Sequence, residues 1–124
     1  MAEELYFAGA QTGGFTASAR NPFPVSASRD YETVAASQST QAMGATGSKG
    51  DFLAGVLIVP ATTSPGAVSI KDGGNGSITI FTGGASSVAD LKPFYVAVGA
   101  VSTNGAWQVT TGANVSAIGV GSFT

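Results

Sequence analysis

The chain has no cysteine and no histidine. Without cysteine it cannot form a disulfide, which argues against a small secreted scaffold stapled by bridges. Without histidine, a Ser-His-Asp triad and a His- or Cys-built metal centre are excluded. Charge is also scarce. Asp, Glu, Lys and Arg make up 10% of the 124 residues, against about 25% in an ordinary domain. The five basic residues, Arg20, Arg29, Lys49, Lys71 and Lys92, are scattered, so no nucleic-acid-binding stripe is expected. The longest strongly apolar run, Val56 to Val59, is far short of the roughly 20 residues of a spanning helix, and no membrane partner is expected. The N-terminal Met1-Ala2-Glu3-Glu4-Leu5 shows no apolar signal core.

Glycine and uncharged polar residues fill the space that charge leaves. Gly contributes 18 residues, about twice the usual share of roughly 7%. Mean hydropathy is +0.27, net charge is -2 and the pI is near 4.7. Such a surface suits a subunit covered by partners better than a lone monomer, and a homodimer or homotrimer is expected.

The pattern is that of strands. Residues 52–81 organise the chain. Val56-Leu57-Ile58-Val59 is a continuous apolar run ending at Pro60, read as a strand buried on both faces. Val68 and Ile70 alternate with polar residues, as do Ile78 and Ile80. Between them lies Asp72-Gly73-Gly74-Asn75-Gly76, which predicts a β-hairpin. Phe94, Val96 and Val98 mark another strand, and Asn104-Gly105 signals a hairpin to the strand of Trp107, Val109 and Thr111. Residues Ala85 to Leu91 have room for one helical turn before Pro93. Val115 to Val120 is the last strand, where a change of phase between Val115 and Ile118 suggests a bulge.

Turns recur at about ten-residue intervals, which reads as all-β: an antiparallel β-sandwich or jelly-roll-like small barrel. The expected core is Val56, Ile58, Val68, Ile70, Ile78, Ile80, Leu91, Phe94, Val96, Val98, Trp107, Val109, Ile118 and Val120. Three regions are expected. Residues 1–21 lack a period and form an extended N-terminal arm. Residues 22–50 hold an edge hairpin, Phe23 to Ala27 with Tyr31 to Ala36, and then an exposed Gly/Ser/Thr-rich loop. Residues 51–124 form the sandwich. Lacking a period up to about Gly50, the N-terminal part is expected to order on its partners.

Reactive chemistry is hard to find. Glu3, Glu4, Asp30, Glu32, Asp51, Asp72 and Asp90 are the only acids. Most fall in the arm or at strand boundaries, where Asp is a turn former. One Asp and one Asn at 72–76 do not make a calcium loop, and no glycine pair continues into a phosphate-binding motif. Asn75-Gly76-Ser77 and Asn114-Val115-Ser116 match the glycosylation sequon by chance. Trp107, Tyr95 and Phe94 could line a sugar site, but a Trp among alternating apolar residues reads as core. No catalytic, cofactor-binding or metal-binding residue is therefore named, and no cofactor is expected.

From Asp51 onward the chain resembles small virion proteins of tailed bacteriophages. The residues concerned are Phe52 to Pro60 (FLAGVLIVP), Pro65 to Gly73, Leu91 to Phe94, Ser102 to Trp107 and Thr110 to Val115. The resemblance implies a jelly-roll-like capsid decoration, or cement, protein. Such a protein would be made in the host bacterial cytoplasm, lie on the outer capsid surface, clamp neighbouring copies of the major capsid protein, and act as a dimer or trimer. A tail or fibre-tip domain that binds a host glycan is the alternative. An exposed aromatic platform at Trp107 or Tyr95 would favour it. An enzyme is not expected, given so few acids.

Overall fold

The computed structural model describes residues 29–124. The expected arm at 1–21 and the expected strand Phe23 to Ala27 lie outside them. Eight strands follow in order: β1 (Asp30–Val34), β2 (Gln41–Ala42), β3 (Phe52–Pro60), β4 (Val68–Asp72), β5 (Ile78–Phe81), β6 (Phe94–Val101), β7 (Trp107–Thr111) and β8 (Val115–Ser122). No helix occurs among the described residues, including at Ala85 to Leu91.

The strands form two four-stranded antiparallel sheets, β1-β8-β3-β6 and β2-β7-β4-β5. The first strand pairs with the last, β2 with β7, β3 with β6, and β4 with β5. A long antiparallel ribbon has been bent at the β4–β5 hairpin and wrapped into two sheets. This is the jelly-roll order of two Greek keys. The result is a β-sandwich of two open sheets rather than a closed barrel.

Wrapping changes the role of the turns. The β4–β5 hairpin forms as its alternation predicts, with Ile70 opposite Ile78. Every other connection carries the chain from one sheet to the other. Asn104-Gly105 is therefore a corner between sheets and not a hairpin. A short turn signal reports a reversal of direction, and the partners across the sheets decide which sheet the chain enters.

The core lies between the sheets and contains Val34, Met43, Leu53, Val56, Ile58, Val68, Ile70, Trp107, Val109, Val115 and Ala117. Ile80, Phe94, Val96 and Val98 are half-buried at its margin. Four expected core residues lie elsewhere. Ile78 is 52% exposed on an edge strand and Leu91 is 50% exposed in a loop. Ile118 and Val120 point outward, because β8 alternates without a break and turns Val115, Ala117, Gly119 and Gly121 inward. The bulge is on β3 instead, where the register shifts between Leu53 and Gly55. The extra residue, Ala54, lets Leu53 and Val56 both face the core although they stand an odd number of places apart. Val56 and Ile58 are buried, while Leu57 and Val59 are only half-buried on the opposite face, so the apolar run is not enclosed on both sides.

Residues 30–50 are built into the sandwich. Tyr31 to Val34 form a strand as expected and pair with β8; the hairpin partner expected for them, Phe23 to Ala27, lies outside the described residues. Met43, expected in an exposed loop, is fully buried. A side chain at Gly119 would collide with the Met43 sulfur, so the glycine leaves the space that Met43 fills. Both ends of the stretch are tied down: near the start Val34 enters the core, and at the end the Gly50 N–H donates to the Ser102 carbonyl at 3.0 Å.

Trp107 is 4% exposed. Its Nε1–H donates to the Asp51 carbonyl at 3.1 Å, which satisfies the one polar atom of a buried indole. Replacing it with Ala removes packing and this bond together. Trp107→Ala is expected to cost about 3–5 kcal/mol in denaturant unfolding. A loss below about 1 kcal/mol would show that the indole is not core.

Candidate interaction surface

The two outer faces of the sandwich differ in chemistry. On the β2-β7-β4-β5 sheet the register places Ser69 beside Thr110 and Thr79, and Lys71 beside Gln108. These residues alternate with the buried Val68, Ile70, Trp107 and Val109. The outer face of this sheet is polar, as expected of a sheet that meets water.

The β1-β8-β3-β6 sheet departs from that rule. Its outward rows run Tyr31, Val120, Gly55, Ala97 and then Thr33, Ile118, Leu57, Tyr95. Val59 lies beside Ser116, and Phe52 lies between Ser122 and Val101. No strand residue on this face is charged. The acids of β1 lie on the other phase: Asp30 accepts the Phe123 N–H at 3.0 Å, and Glu32 accepts the Gly44 N–H and the Gln41 side chain. The Arg29 guanidinium stands at the border, 5.2 Å from the centre of the Phe52 ring.

Tyr95 shapes the middle of this face. Its phenol lies over Gly55, where any Cβ would overlap it. Glycine opens the space and the aromatic ring covers it, which is a known way to support glycine in a sheet. Tyr95 stays 51% exposed. Of the three aromatics considered for a sugar site, Tyr95 is outside, Phe94 turns toward the core margin and Trp107 is buried.

This surface was missed in the sequence for one reason. Aliphatic residues occupy both phases of β8, and the bulge expected between Val115 and Ile118 would turn the second set, Ile118 and Val120, into the core. Apolar residues on both faces of one strand are the signal that could have revealed it.

The acids have structural partners. The buried Asp51 carboxylate accepts the Ser48 N–H at 3.0 Å and the Thr124 N–H at 3.2 Å, and its carbonyl accepts the Ser102 N–H at 2.8 Å. Asp90 accepts the Lys92 N–H at 3.1 Å. Asp72 joins the β4–β5 hairpin to the Asn104-Gly105 corner, accepting from the Thr103 N–H, the Thr103 hydroxyl and the Asn104 N–H at 2.9–3.0 Å. The Gly73 N–H donates to the Ala106 carbonyl alongside. Glu3 and Glu4 lie outside the described residues. Among the described residues no three potential metal-ligating side chains converge and no cavity opens. No helix among them is long and apolar enough to cross a membrane. Comparison with protein families, with curated proteins and with solved structures finds no match.

The bond from the Thr103 N–H, with those from Asn104 and the Thr103 hydroxyl, holds the Asp72 carboxyl below its ordinary value, against an opposing effect of desolvation. A carboxylate with a lowered folded pKa stabilises the protein above its unfolded pKa of about 3.9 and loses that contribution as the pH falls through the folded value. Asp72→Asn is therefore expected to be less stable than the parent at pH 7. The gap should close as the pH drops below about 4. Urea midpoints at pH 7 and pH 3 check this, and a gap equal at both pH values would contradict it.

Proposed function

We propose that this protein is a structural component of a tailed-phage virion, placed on the outer surface of the capsid. It bridges neighbouring copies of the major capsid protein, stabilises the shell and associates with itself as a dimer or trimer. The observation that carries the reading is the uncharged apolar outer face of the β1-β8-β3-β6 sheet. Leu57, Val59, Ile118 and Val120 remain partly exposed there. Contiguous apolar surface of this kind marks contact sites. Fully covering a large aliphatic side chain contributes about 1.5–3 kcal/mol, and these side chains stand to gain the part of it not yet realised.

The resemblance from Asp51 onward supplies the identity of the partner. The jelly-roll order agrees with it, since virion domains are among the proteins built this way. Fold alone does not choose, because lectin domains share it. A shell under internal pressure fails where subunits separate, and small rigid domains at those seams oppose that. Modest contacts repeated around a symmetric lattice add up through high effective concentration.

The Tyr95 platform over Gly55 favours the second reading, a tail or fibre-tip domain that binds a host glycan by stacking. Location in the particle separates the two. In that case Tyr95→Ala abolishes glycan binding and leaves capsid stability unchanged.

Particles prepared with and without the protein are expected to differ on heating, with DNA released at lower temperature when it is missing. Ile118→Lys should fold and fail to bind shells, while Thr110→Lys on the polar face should bind normally. Equal DNA retention with and without the protein, or its confinement to the tail tip, would overturn the capsid reading.

A further inference from the structure

A sheet edge offers a row of unpaired backbone N–H and C=O groups, and folded proteins usually protect it. Among the described residues the four edges are β1, β6, β2 and β5. β1 is five residues long and carries Asp30 and Glu32. β2 is two residues long, and β5 is four residues long with a register shift against β4. β6 is different. It runs for eight residues, Phe94–Val101, with no charge and no proline. Among the described residues only β3 pairs with it.

β6 also borders the open side of the core. Phe81 on β5 and Phe94 on β6 meet edge to face, with ring centres 5.2 Å apart. With Ile80, Val96 and Val98 they are only partly buried. Ile78 and Tyr95, both about half exposed, extend the apolar strip on either side. The opposite side of the sandwich is closed by Val34 and Met43.

We infer that β6 is the site of self-association, pairing antiparallel with β6 of a second copy about a two-fold axis. The inference rests on the self-association proposed above and does not depend on the capsid. Two features select a second copy over a different partner. The strand lacks charge, so two copies bring no like charges together, and it presents none by which to choose a charged partner. Its side chains complement their own reverse. With Val96 on the axis, Phe94 opposes the second copy's Val98, and Tyr95 opposes its Ala97, so each large residue meets a smaller one.

The regular stretch also has a natural end. Val98 and Gly99 together oppose Ala54, and Gly99 has φ +67°, a bulge that bends the strand. Pairing from Phe94 to Val98 joins the two β1-β8-β3-β6 sheets into one of eight strands. Five paired residues span only about 17 Å. A stable interface clears roughly 1,000 Å², so the seam of Ile78, Ile80, Phe81 and Phe94 must be covered as well.

Sedimentation of the full chain at micromolar concentration is expected to give twice the 12.2 kDa of one chain. Ala97→Lys places an exposed cation beside the axis and should weaken the dimer roughly 100-fold or more, because like charges brought together cost several kcal/mol. Thr110→Lys, on the polar sheet, should leave the dimer intact. Hydrogen exchange of the unaltered protein gives a second readout that needs no variant. Amides of Tyr95 to Val98 that point away from β3 should slow as concentration rises.

A monomer at micromolar concentration overturns both this pairing and the self-association behind it, while shell binding stays open to its own test. A dimer or trimer that Ala97→Lys does not weaken, or β6 amides that exchange equally fast at all concentrations, overturns the β6 site alone.

Discussion

The ladder between β3 and β8 is the constraint on which the rest depends. It aligns Phe52 with Ser122 and Pro60 with Val115, so it closes a large part of the chain at once. Its loop-closure entropy is lost before most other long-range contacts form. Once β8 lies against β3, its other side is free to hold β1, and the first sheet can assemble from both ends of the described chain. The same closure brings β7 to β4. Folding that relies on such distant pairings is expected to be slower than that of a helical protein of similar size.

Carboxylates and glycines fasten what the ladder brings together. Asp51 links the Ser48 turn and Thr124 through its carboxylate and Trp107 through its carbonyl. Asp72 ties the hairpin bend to the Asn104-Gly105 corner. Glycine permits close approach where side chains must cross: Gly119 under Met43 and Gly55 under Tyr95. In a chain with so little charge, most of its acids are thus engaged in holding corners, and the outer face of one sheet is left apolar. A surface without charge is poorly suited to remain bare in water. The proposed interaction role draws on this packing, with Tyr95 at the centre of the exposed face and β6 at its edge.

Local features were legible because they depend on near neighbours. The alternation of Val68 and Ile70 with polar residues, answered by Ile78 and Ile80 across a glycine-rich bend, determines a hairpin wherever the segment is placed. Trp107, set in phase with Val109, reads as core for the same reason. Met43 did not, because its burial depends on the space above Gly119, a residue distant in the chain. No acid or aromatic pattern pointed to the candidate surface, since it is assembled from rows that cross four strands.

The sequence by itself determined that the described part of the chain is all-β, where its strands run from Gly50 onward, and that Asp72 to Gly76 is a hairpin bend. These follow from period-two patterning and turn chemistry within short windows. Tertiary structure alone decided that Asn104-Gly105 leads into the other sheet and that β1 pairs with β8. It also decided that Ile118 and Val120 face outward. Each strand with apolar residues on both phases can present either face to the core. The choice falls to the partners across the sheet and the volume between the layers, and neither is encoded in any single segment.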